Sequence, residues 1–96
     1  MVALSERGHY VSRSGVGNYY TEDGRLVKIG IKGQSDLHGH RYPDGRAWYI
    51  ECKTKTGKPT IEQSTFLVAM RNGGALAGVA RNVGDALKIV EQEDNQ

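Results

Sequence analysis

Strand-like runs of alternating apolar and polar residues fill the first part of the chain, and helical signals begin only at residue 60. "HYVSR" (residues 9–13) alternates and predicts a strand, which the two glycines of "SGVGN" then break. "NYY" and "LVKIGI" flank the Asp-Gly of "EDGR" (22–25), a hairpin signal. A second reversal, "YPDGR" (42–46), separates "DLHGHR" from "AWYIECKT". Proline presets φ there and glycine accepts positive φ, so the turn is tight. Thr60 opens a Thr-x-x-Gln capping box on "IEQSTFLVAMRN", which stops at Gly73-Gly74. "ALAGVA" (75–80) is short, apolar and bounded, as a buried strand is, and Asn82-x-x-Asp85 caps a last helix, "VGDALKIVEQ".

This order predicts an α+β fold, α/β in its closing part. A mixed, mainly antiparallel sheet of about four to five strands is flanked by helices, and the final strand lies parallel to a neighbour through the helix crossover. The 96 residues fit a single domain, 1–96, with its core over about 9–90 and a frayed tail at 91–96. A domain of this size buries roughly 60–65% of its unfolded surface and gains from a partner subunit.

Composition narrows the function. No apolar run approaches the ~18 residues that span a bilayer and no signal peptide opens the chain, so no membrane partner is expected. The lone Cys52 excludes an intrachain disulfide and a thiolate metal cage, and a cytoplasmic setting, in a bacterium or a phage-infected host, is the expected one. Net charge is only +2, but residues 1–60 hold ten Lys/Arg against six Asp/Glu, and residues 61–96 three against five. The basic half contains "ECKTKTGK", where a phosphate-binding surface would need it. No Walker-type or dinucleotide fingerprint is present, so no nucleotide cofactor is expected.

Chemistry concentrates in "YIECKTKTGKPTIEQ" (49–63). In a strand, Ile50 and Cys52 point to one face, toward the core, and Glu51 and Lys53 to the other, about 7 Å apart. Alone this is a surface ion pair worth under ~1 kcal/mol. Counting outward from a turn centred at Asp44-Gly45, Asp36 faces residue 53, with residue 51 as its diagonal neighbour. Two carboxylates converging there repel unless a cation sits between them, and hard oxygen ligands suit Mg²⁺ or Mn²⁺. Lys53 beside such an ion stabilises the extra negative charge of a phosphoryl transition state.

"GQSDLHG", "YIECKTKTGKPTIEQ" and "NGGALAGVARNVGDAL" resemble the VRR-NUC family of the PD-(D/E)XK nuclease superfamily, over about residues 9–90. The resemblance implies a restriction-endonuclease-like core similar to that of archaeal Holliday junction resolvases. It also implies a Mg²⁺-dependent endonuclease on DNA, branched DNA such as four-way junctions above all, built as a homodimer like the family's small stand-alone phage and bacterial members. Asp36 and Glu51 match its metal-binding acids, the backbone carbonyl of Cys52 a further ligand, Lys53 its catalytic lysine and Gln63 the glutamine on the following helix. Gln63 also has a purely structural explanation as the end of the capping box. Family members carry a metal-binding glutamate on a helix before the first strand, and Glu6 is the one carboxylate at that place here. Arg13, Lys55 and Lys58 are the DNA-binding candidates; as solvated surface charges they would look the same. His38-Gly-His40 puts two imidazoles on one face but lacks a third zinc ligand. Tyr19, Tyr20, Tyr42 and Trp48 suit packing better than base stacking. Two other readings stay open: a nucleic-acid-binding module that kept the fold without the chemistry, and a nuclease of linear duplex.

Overall fold

In the computed structural model, residues 2–13, 18–20, 26–28 and 35–93 are described, with 18–20 and 26–28 as backbone. The elements run α1 (Val2–Glu6), β1 (Tyr10–Arg13), β2 (Asn18–Tyr20), β3 (Leu26–Lys28), β4 (Leu37–His40), β5 (Ala47–Cys52), α2 (Ile61–Asn72), β6 (Leu76–Ala80) and α3 (Val83–Val90). The main sheet has the order β1-β4-β5-β6, antiparallel except for the β5–β6 pair. This is a small α+β fold with a mixed four-stranded sheet flanked by helices, and its last strand is parallel as the helix crossover requires. β2 and β3 form a separate antiparallel pair, as the Asp-Gly signal predicts. The turn at residues 22–25 itself lies outside the described residues, as do the 14–17 loop and Gly33, which opens "GQSDLHG".

Alternation in β1, β4, β5 and β6 turns one sheet face toward α1 and α3. Leu37, Trp48, Ile50, Leu76 and Ala80 pack there with Leu4, Ala86 and Val90. Trp48 is fully buried, which agrees with packing. Cys52 departs from its expected place in the core and is exposed. It ends β5, two residues beyond the last β4–β5 pair, Leu37 with Ile50, where β4 no longer flanks the strand.

α2 covers the opposite face over β5 and β6. Its capping box is formed in full: Thr60 Oγ1 accepts from the Gln63 N–H at 3.1 Å and Gln63 Oε1 from the Thr60 N–H at 2.9 Å. Asn82 caps α3 by accepting from the Asp85 N–H at 2.8 Å. At the turn end of the sheet, His9 Nδ1 accepts from the Tyr42 N–H at 3.0 Å. The ring proton is therefore on Nε2, which donates to Glu91 at 2.9 Å, and Arg7 donates to the same carboxylate. Among the described residues no helix is long and apolar enough to cross a membrane.

Candidate active site

Register decides whether the acids meet. The Arg41 N–H donates to the Arg46 carbonyl at 2.8 Å, which centres the turn between Pro43 and Asp44. Leu37 therefore pairs with Ile50 and His38 with Tyr49. One step further, Asp36 comes opposite Glu51 rather than residue 53. A centre displaced by one residue moves the register by two, so the faces are preserved. Asp36 is held there by the Cys52 N–H, which donates to its Oδ2 at 2.9 Å.

Glu51 is 1% exposed. Placement on the outward face of the strand predicts a solvated ion pair, but the docking of α2 on β5 buries it. Gln63 Nε2, from the first turn of that helix, donates to Glu51 Oε1 at 2.9 Å. Lys53 Nζ stands 3.7 Å from the same oxygen. Oε2 is buried without a hydrogen-bond partner among the described residues. Burial first, then the neighbouring Asp36 carboxylate, pushes the Glu51 carboxyl up to about 7, and Lys53 pulls only partly the other way. A buried carboxylate with an orphaned oxygen and a second carboxylate beside it fits a hard divalent cation. Among the described residues no group of three His, Cys, Asp or Glu side chains comes together, so the protein side chains offered are Asp36 and Glu51.

Not every predicted residue gathers here. Glu6 closes α1, and the chain then runs through His9 to the turn end of the sheet, where Tyr10 pairs with His40. Asp36 and Glu51 occupy the other end, so the structure does not bring Glu6 to them. Arg13 ends β1 beside Leu37, at the same end as the acids, and is exposed. Lys55 and Lys58 are exposed on the loop between β5 and α2.

One residue went unnoticed in the sequence. Arg81 follows β6, and its Nη1 donates to the carbonyls of Thr54 at 2.7 Å and of Gly57. Its own N–H donates to Asp85 at 3.0 Å, so the basic loop is tied to the start of α3. No local pattern announces such a contact, since 27 residues separate Arg81 from Thr54.

Gln63 has two separable jobs. Gln63→Glu keeps an acceptor for the capping box but replaces the amide that donates to Glu51 with a half-buried carboxylate. Melting should show α2 intact, while Mg²⁺ affinity rises by about tenfold or more in a calorimetric titration, because a further carboxylate adds negative charge for the cation to neutralise. Unchanged metal affinity would reduce Gln63 to a cap.

Comparison with protein-family models, with curated proteins and with solved structures gives no match.

Proposed function

We propose that this chain is a Mg²⁺-dependent DNA endonuclease of the VRR-NUC type, with a restriction-endonuclease-like core, acting on branched DNA such as four-way junctions. One observation carries it: the buried Glu51, with no donor for its Oε2 among the described residues, lies beside Asp36 and 3.7 Å from the Lys53 ammonium. A surface ion pair needs none of that burial, and a structural carboxylate would have both oxygens satisfied.

Asp36, Glu51 and the Cys52 carbonyl would hold the ion, with Mn²⁺ as a substitute. The ion would supply Lewis-acid neutralisation of a phosphoryl oxygen and an acidified water. Gln63 fixes the orientation of Glu51 by donating to Oε1. The Lys53 ammonium balances negative charge as it builds on the phosphate being cut. Arg13, Lys55 and Lys58 hold flanking phosphates, which makes binding fall steeply with salt.

Four-way DNA has two strands to cut, and self-pairing supplies a second centre. Ile61 and Val68, exposed apolar residues on α2, support a homodimer. Sedimentation should give a mass near twice 10.5 kDa.

The deciding experiment incubates the protein with a labelled four-way junction and Mg²⁺. Nicked arms are expected from the unsubstituted protein, and salt-sensitive binding without cutting from Asp36→Asn. Binding without cutting by both proteins would instead identify a binding module of the same fold. Preferential, sequence-dependent cutting of linear duplex would move the substrate away from junctions.

A further inference from the structure

The sheet face that carries Glu51 is covered unevenly. Over β5 and β6 it lies under α2, where Phe66 meets Tyr49 edge-on at 5.5 Å. Over β1 and β4 the same face presents Tyr10, Ser12, His38 and His40. Tyr10 and His40 are stacked, with centroids 4.9 Å apart and planes 14° apart, yet Tyr10 is 54% exposed and His40 is exposed too. His38, half-buried, lies over Tyr49 at 6.3 Å and 27°. Burial of apolar area does not account for a ring pair left in solvent.

Strand register arranges these groups in rows. Tyr10 pairs with His40, Ser12 with His38 and His38 with Tyr49, and Asp36 comes opposite Glu51. Successive rows are two residues apart along the strands, roughly 6.7 Å. The face thus runs from a solvent-facing ring pair, past His38, to the two carboxylates. Among the described residues no carboxylate lies on it between Tyr10 and His38, and Lys53 stands beyond the last row, whereas Arg13 pairs with Leu37 and belongs to the opposite face.

We propose that this uncovered face is a stacking platform for unpaired nucleotides of DNA, which it leads toward Asp36 and Glu51; the inference rests on the nuclease reading of those residues. Flat rings offered to solvent engage the π-faces of bases, and those faces are free only where a base is unpaired. Sheets that bind single strands do so with rings standing on one face. The substrate is accordingly DNA with a single-stranded segment beside the cut, such as a flap or an opened junction centre. A second copy of this chain fits the patch less well, because imidazole and phenol edges carry polar atoms that a dry protein interface would leave unpaired.

The test measures fluorescence anisotropy of a labelled oligo(dT) and of a blunt duplex of equal length, both in EDTA. Tyr10→Leu combined with His40→Ala removes the rings while keeping apolar bulk on β1, and the melting transition verifies folding. Single-strand affinity should fall about tenfold or more, with duplex affinity within about twofold, and Tyr10→Phe should bind like the unsubstituted protein. Equal losses for both DNAs, or no loss, would overturn the platform, as would a shift from dimer to monomer in sedimentation. Cleavage separates the two readings. If the double variant still cuts flapped DNA in preference to fully paired DNA as well as the unsubstituted protein does, the platform falls and the nuclease stands. Ring-dependent binding of oligo(dT) by a protein that cuts no DNA would leave the platform and remove the nuclease.

Discussion

Lys53→Ala is expected to slow junction cleavage by about 10²–10³-fold while leaving junction affinity nearly unchanged. The backbone at Lys53 is fixed, because its N–H donates to the Ala80 carbonyl at 3.1 Å as the parallel pairing continues past β5. Its side chain is 22% exposed, and the ammonium stands 3.7 Å from Glu51 Oε1, beyond a tight hydrogen bond. The charge is near the carboxylate without being consumed by it, and solvent-side donors remain for a phosphate. Single-turnover rates and binding constants measured separately make the test, with Lys53→Arg as the charge-keeping variant. Loss of the ammonium also removes the group that pulls the Glu51 carboxyl down, so the rising limb of the pH–rate profile at low Mg²⁺ should move alkaline in Lys53→Ala. A fall in rate matched by an equal fall in affinity would make Lys53 one more phosphate contact and withdraw its role in the chemistry.

Much of the frame was legible because it is written locally. The Thr60–Gln63 box, the stop at Gly73 and the Asn82 cap each depend on residues within a turn of one another, and all three form as expected. Alternation in "YIECK" placed Glu51 and Lys53 on one face without knowledge of any partner. Register was legible only to within two residues, since the pairing of Arg41 with Arg46 and not the Asp44-Gly45 dipeptide sets the centre of the turn. The burial of Glu51 was not legible at all: it depends on where α2 docks, and nothing inside a strand reports what helix lies over it. The same is true of the Gln63 to Glu51 hydrogen bond, since the box alone accounts for a glutamine there. Glu6 was named through the resemblance alone. A glutamate on a helix before the first strand suggested a ligand, whereas β1 runs from the turn end of the sheet toward the acids and leaves Glu6 near the turn end.

Glu51→Gln is expected to stabilise the metal-free protein at pH 8 by about 2–3 kcal/mol and to abolish cleavage. An unperturbed glutamic acid ionises near 4.5, and in the fold burial and Asp36 push Glu51 to about 7. Between those values the unfolded chain releases the proton first, so the folded state loses stability as pH rises through the window. The loss is complete above about 7 and amounts to about 3 kcal/mol at 1.36 kcal/mol per tenfold. Below about 4.5 both states are protonated and nothing is lost. Glutamine carries no such linkage: its carbonyl still accepts from Gln63, and its amide donates toward Asp36 where an ionised carboxylate cannot. In EDTA the unsubstituted protein should therefore melt roughly 10–20 °C lower at pH 8 than at pH 5, while Glu51→Gln stays nearly flat. Adding Mg²⁺ at pH 8 should raise the melting temperature of the unsubstituted protein by mass action and leave the variant unmoved. A variant less stable than its parent at pH 8 would mean that Lys53 and Gln63 already satisfy an ionised Glu51. The carboxylate would then be one half of a structural ion pair, with no call on a cation.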